Sequence, residues 1–259
     1  MSSVTSAQPT TAPPLGLVLT SLFRADFLVL LKNRRAVLFS ILLPVLVLIS
    51  TNSGTATRRL GGPAFVIGLA IAYGLVSTSI MGYTVTVARD REKGVFQRLR
   101  VTPAPTWTIM ASRLAMQSVA NLIIALVVVI IGTRLHHILP SAGQYALVLL
   151  VSILSGAVYL SVGQALVGLV KSADTVSAAA RVLYIALILL GTLGLAGTLG
   201  SVLESIARWT PVGTVMTLFA GVLNLSAWSA HDTLSLVVSV AYIVVFAGIG
   251  IRWFQWDAR

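Results

Sequence analysis

Long apolar runs broken only by short charged loops constrain this chain more than any other feature. Residues 64–88 and 144–170 contain no Asp, Glu, Lys or Arg at all. The stretch 88–103 between two such runs, by contrast, reads Ala-Arg-Asp-Arg-Glu-Lys-Gly-Val-Phe-Gln-Arg-Leu-Arg-Val-Thr-Pro. The chain is 57% apolar and only 10% charged, with a mean hydropathy of +0.95, whereas a soluble domain is nearer one-quarter charged. In hydrocarbon every backbone N–H and C=O must find its partner within a helix or a closed barrel. The runs are long and lack period-2 alternation, which selects helices over a barrel. The expected fold class is therefore all-α, a polytopic membrane protein.

The absence of cysteine excludes disulfides, thiolate metal sites and cysteine nucleophiles. A net charge of +11 would suit nucleic acid if it formed one basic face. Here the basic residues sit in short loops, which in a membrane protein is a topology signal, and no nucleic-acid partner is expected.

Residues 1–14 carry too little apolar surface to order themselves and read as a tail; they lack the basic-then-apolar order of a signal peptide. Over 15–35, Leu15, Val18, Leu19, Leu22, Phe23, Phe27, Leu30 and Leu31 recur at helical spacing opposite Thr20, Ser21, Arg24 and Lys32. This predicts an amphipathic helix lying in the membrane interface, with Asp26 and Leu28 interrupting its stripes. Six spans follow, at about 36–51, 64–88, 107–132, 144–170, 175–197 and 233–251. The first is short and has Pro44 in its middle, and Arg113 lies early enough in the third to snorkel. Residues 198–232 hold two moderately apolar pieces broken by Glu204, Arg208, Pro211 and His231, which predicts a re-entrant or interfacial segment before the last span. Six spans place both termini on one side. Of the 18 Lys and Arg residues, all but Arg58, Arg59, Arg134 and Arg208 fall on that side, which the positive-inside rule makes cytoplasmic. The expected location is the cell membrane, with the loop 89–106 in the cytoplasm.

Catalytic and nucleotide motifs do not occur: there is no GxxxxGK[ST], no HExxH, no EF-hand loop and no GxSxG. Adjacent His136 and His137 fall on different helical faces and read as interface residues rather than a metal pair. All seven acidic residues map to span ends or loops, so the intramembrane carboxylates typical of ion-coupled pumps are missing. If the chain moves a substrate, its energy comes from another subunit.

Glu92, Gly94, Leu99 and Thr102-Pro103 together resemble the loop of ABC-2 type ABC transporter membrane subunits. The layout is similar too: an interfacial first helix, six spans, and a broken segment containing Trp209-Thr210-Pro211. Val95 and Gln97 depart from the residues that family often has at those places. Within it, the daunorubicin-resistance type of exporter is the nearest subgroup. The resemblance implies that loop 89–106 is a coupling helix docking on a cytoplasmic ATPase, with Arg91, Glu92, Lys93, Gly94, Arg98 and Pro103 as its residues. It also implies two ATPase subunits carrying the ATP and Mg, no cofactor bound by this chain, and a second permease subunit, identical or homologous. In that family the second and fifth spans line the translocation cavity. Tyr73, Ser77 and Thr84, at i, i+4 and i+11, and Tyr184 and Thr192, near the Gly191, Gly194, Gly197 and Gly200 repeat, are the lining candidates; each residue alone also fits ordinary helix packing. Arg181 has three readings: snorkelling, which is favoured, pairing with an acid, or attracting an anionic substrate group. The function implied is export of a lipophilic or amphipathic compound. Export of a polysaccharide, peptide or sodium by the same architecture, or a scaffold recruiting a soluble partner, are the alternatives.

Overall fold

A computed structural model describes residues 34–100, 106–194 and 200–253, with Gly16, Thr20, Ser21, Phe23 and Arg24 before them. The expected tail, most of the interfacial helix, and Thr102-Pro103 lie outside the described residues. Among those described, all regular structure is helical.

Helix α1 spans Arg34–Ser50 and contains Pro44. Its 17 residues give a rod of about 25 Å, short of the roughly 30 Å hydrocarbon core. The expected first span is thus a short helix. A six-residue helix α2, Gly54–Arg59, follows. Helix α3 then runs Pro63–Glu92 and is the centre of the bundle. Every residue from Val66 to Val76 is buried, as expected where a helix is apolar all round. A helix meeting neighbours on all sides needs small residues at its crossings. A Cβ on Gly74 would lie 2.7 Å from Ile124 and 3.2 Å from Pro44.

Helix α4, Val95–Arg100, forms the short loop helix. Helices α5, Thr106–Leu135, and α6, Ala142–Leu169, follow. Helix α6 opens on a capping box in which the Ser141 N–H donates to Gln144 Oε1 (2.8 Å) and the Gln144 N–H donates to Ser141 Oγ (3.3 Å). Helix α7, Ala173–Gly194, comes next, and α10, Ala230–Trp253, is the last helix among the described residues. Among the described residues five helices, α3, α5, α6, α7 and α10, are long and apolar enough to cross a membrane, or six if the bent pair after α7 counts as one span. The outer ones expose apolar faces, such as Val182, Ile185 and Leu189 on α7 and Val237, Val244 and Val245 on α10.

The broken segment stands where it was expected, as helices α8, Ser201–Trp209, and α9, Pro211–Leu223, bent by 78°. Its depth follows from its hydrogen bonds. Gln144, in the first turn of α6, donates to the Val222 and Leu223 carbonyls (3.3 and 3.0 Å). Farther along α6 the Tyr159 hydroxyl reaches the Pro211 carbonyl (3.5 Å), and Tyr242, midway along α10, donates to the Trp209 carbonyl (2.6 Å). The corner therefore sits deep in the bundle, and α9 returns to the end where α6 begins. Thr210 caps α9 by accepting from the Gly213 N–H (3.2 Å).

One departure lies inside α3. Residues Ser77–Thr84 form π-helix rather than the regular helix expected over 64–88. Leu190–Gly194 of α7 does the same. Wider i→i+5 turns change the helical phase, so a side-chain stripe read at 3.6 residues per turn does not continue through them.

Candidate functional site

The charged run does not begin as a loop. Arg89, Asp90, Arg91 and Glu92 are the last turn of α3. Gly94 ends the helix at φ +65°, a left-handed conformation that glycine adopts without strain. The Lys93 and Gly94 N–H groups donate to the Arg89 and Arg91 carbonyls (3.0 and 3.1 Å), and α4 starts with the Arg98 N–H on the Gly94 carbonyl (3.1 Å). Phe96 fastens α4 down. It is 1% exposed, in an apolar cluster with Val87, Ile109, Val167 and Val176. Arg113 of α5 covers it, pairing with Asp90 (2.6 Å) with its guanidinium 4.9 Å from the Phe96 ring centre. Arg113 is thus tied into the loop end rather than reaching freely to solvent.

Arg91 turns inward, while Glu92 stays exposed and reaches across to the start of α7. The Arg91 side chain is 4% exposed. Its Nη1 donates to the Val167 carbonyl and its Nη2 to the Val170 and Lys171 carbonyls, each at 2.6 Å. Those are orphan acceptors at the C-terminus of α6, where the helix dipole is negative. Glu92 Oε1 accepts from the Ala173 N–H (2.6 Å), the first residue of α7, where the dipole is positive. Lys93, Gln97 and Arg98 are exposed. Of the expected docking residues, Glu92, Lys93 and Arg98 are exposed, Glu92 being also bonded to the Ala173 N–H, Gly94 shapes the turn, Arg91 is committed to the bundle, and Pro103 lies outside the described residues.

Within the bundle α3 and α7 meet along a polar seam. The Tyr73 hydroxyl donates to the Ile188 carbonyl (2.7 Å), which also accepts from Thr192 Oγ1 (2.8 Å). Gly191 leaves the space for this, since a Cβ there would stand 3.0 Å from the Tyr73 hydroxyl. One turn along, Ser77 of α3 lies beside Tyr184 of α7, with its Oγ 3.4 Å from Ser40 Oγ of α1. Four of the five expected lining residues therefore share one seam. Thr84 does not: the π-helical turns direct it to α6, where it is fully buried and donates to the Ser79 carbonyl (3.0 Å). Gly163 is required opposite it, because a Cβ there would fall 2.1 Å from the Thr84 hydroxyl.

Residues 48–252 match the ABC-2 family transporter protein family. The chain belongs to the ABC-2 transporter family. It is similar to the Bacillus subtilis (strain 168) protein named "Putative transport permease YvfS", 21% identical over 221 residues that cover 83% of this chain and 88% of that one. An ABC-2 protein of this kind is the membrane-spanning, non-catalytic subunit of a transporter, whose ATPase is a separate chain.

The ABC-2 bundle also holds a polar hub that the sequence reading passed over. Asn121 of α5 is 1% exposed. Its Oδ1 accepts from Thr78 Oγ1 (2.6 Å) and Gln117 Nε2 (3.2 Å), and its Nδ2 donates to Ser79 Oγ (3.1 Å). It grips the π-helical stretch directly. An amide amid the apolar residues of the third span was the available signal, because such groups are costly in lipid unless paired. Arg181 lies exposed on the α7 flank, with no ion pair among the described residues.

Proposed function

We propose that this ABC-2 subunit forms the translocation pathway of an ATP-driven exporter for a lipophilic or amphipathic compound, of the kind handled by daunorubicin-resistance exporters. Loop 89–106 faces the cytoplasm with both termini and docks on the ATPase, two copies of which serve two permease subunits. The observation that carries this reading is the build of the loop. A charged helix end would be mobile if it were merely solvated, yet here Phe96 is buried beneath α4 and Asp90 is paired with Arg113. Lys93, Gln97 and Arg98 are left outward on that base, as a docking platform for a soluble surface requires. Tyr73, Ser77, Tyr184 and Thr192 line the pathway when the seam between α3 and α7 opens. Their hydroxyls are few and set among apolar side chains, which suits a substrate that is itself mostly apolar.

Affinity purification of the tagged chain from mildly solubilised membranes tests the reading. An ABC ATPase in equimolar amount is the expected result. Its consistent absence, or transport that proceeds without nucleotide, overturns it. Reconstitution with that ATPase then tests the substrate: ATP-dependent accumulation of an amphipathic dye is expected, and accumulation only of a polysaccharide, a peptide or sodium would displace the lipophilic assignment.

A further inference from the structure

Arg91 and Glu92 are adjacent, oppositely charged, and each bonded to a different helix end. We propose that this pair is a clamp that makes the coupling loop one mechanical body with the turn between α6 and α7, so that a push on the loop moves α7 and opens the seam. The inference rests on the proposed ATPase coupling and assigns it a route.

Three observations support it. First, the bonds are placed where charge counts most. The turn 170–172 brings the C-terminus of α6 and the N-terminus of α7 together. The Arg91 guanidinium meets three α6-end carbonyls and the Glu92 carboxylate meets the first amide of α7. Each charge complements the dipole of the helix it touches, and exchanging the two would oppose both. Second, the geometry demands arginine. A planar guanidinium reaches several acceptors in a fixed fork, whereas the lysine ammonium is a single point of charge on a flexible stem. Third, the clamp leads to the pathway. Helix α7 carries Ile188, whose carbonyl accepts from Tyr73 across the seam, with Thr192 bonded to the same carbonyl and Tyr184 one turn away. The loop end of α3 and α4 is already rigid through Phe96 and Arg113, so the clamp is the join between that rigid end and α7. Arg91 and Glu92 are therefore positioning residues. Docking itself is left to the outward Lys93 and Arg98.

The chain contains no cysteine, so two labels can be introduced cleanly. The exposed Thr86, on the end of α3 outside the docking loop, and Lys171 are replaced by cysteine, spin-labelled before assembly with the ATPase, and their separation measured with and without nucleotide. In the wild-type background one narrow distance that nucleotide does not change is expected. In Arg91→Lys and Glu92→Ala the distance should broaden, while ATPase recovery on the affinity column stays near wild type and transport per ATP falls about tenfold, the loss set by a charge-assisted hydrogen bond. Glu92→Gln keeps an acceptor for the Ala173 N–H but not the charge and should fall between wild type and Glu92→Ala, which separates lost bonding from lost expression. A nucleotide-dependent change in the wild-type distance overturns the clamp. So does wild-type transport per ATP in Arg91→Lys or Glu92→Ala with the ATPase bound. If no ATPase associates with the wild-type chain, the proposed function fails. The labelled chain alone still decides the clamp, which is overturned if the distance is equally narrow in wild type and Glu92→Ala.

Discussion

Replacing Gly213 by alanine tests the corner of the re-entrant hairpin at its tightest point. A Cβ there would lie 2.1 Å from the Ala207 carbonyl oxygen and 2.6 Å from that of Arg208. Real Cβ contacts do not fall below 3.0 Å, so the first atom must retreat by about 0.9 Å. Both obstacles are backbone, and neither can rotate away as a side-chain tip would. The Ala207 carbonyl is also held, accepting from the Thr210 hydroxyl (2.7 Å) and N–H (3.2 Å). Opening the 78° bend enough to admit the methyl would also disturb the Tyr242 and Tyr159 hydroxyls bonded at Trp209 and Pro211. Overpacking ordinarily costs about 1–3 kcal/mol, and a clash with fixed backbone belongs at the upper end, about 3 kcal/mol. That is roughly a hundredfold in the folding equilibrium at about 1.4 kcal/mol per tenfold. Gly248 is the matched control: it lies on the exposed α10 with nothing within 4 Å of a built Cβ, so Gly248→Ala should be neutral or slightly stabilising. The assay is reversible denaturation in mixed micelles, followed by tryptophan fluorescence. A Gly213→Ala protein within about 1 kcal/mol of the Gly248→Ala control would refute the corner geometry.

Three further outcomes follow from the same structure. Asn121→Leu removes three hydrogen bonds at nearly constant volume and should cost about 2 kcal/mol in the same denaturation assay, at about 0.6 kcal/mol per bond in a membrane; a loss under about 0.5 kcal/mol would show that Asn121 does not hold the π-helical stretch. Lys93→Glu with Arg98→Glu should weaken ATPase association roughly tenfold at low salt, from two exposed charge pairs of about 0.5–1 kcal/mol each, with a smaller loss at high salt; titration of purified ATPase at two ionic strengths measures both. His136 lies beyond the end of α5, and burial pushes its pKa below the ordinary histidine value of 6.5, against a hydrogen bond to the Leu48 backbone that raises it. The unfolded chain therefore takes up the proton first, and the histidine's contribution to stability is lost as pH falls below about 6.5. Denaturation midpoints at pH 7.5 and 5.5 should show this decline, and His136→Gln should reduce it.

Membrane insertion makes the sequence unusually legible, because in lipid each segment must satisfy its own backbone locally. The span expected at 144–170 from its uncharged apolar content is the helix Ala142–Leu169. The break at Trp209-Thr210-Pro211 was equally legible, since proline cannot continue a helix and Thr210 is a favoured cap. Other features depended on contacts distant in sequence. Arg91 belongs to a charged run and reads as a solvent-facing residue, yet it is buried because the end of α6 offers it carbonyls from Val167 to Lys171. Thr84 fits a helical stripe with Tyr73 and Ser77 until the π-helical turns move it to Gly163. Asn121 gains its meaning only from the Thr78 and Ser79 hydroxyls brought to it by α3. The amino-acid order by itself determined an all-helical membrane protein with a charged loop and a broken segment before its last long helix, because hydropathy and helix termination act over a few residues. Tertiary structure alone decided which charges point outward and which hydroxyls meet across α3 and α7, because a hydrogen bond is set by where two helices cross.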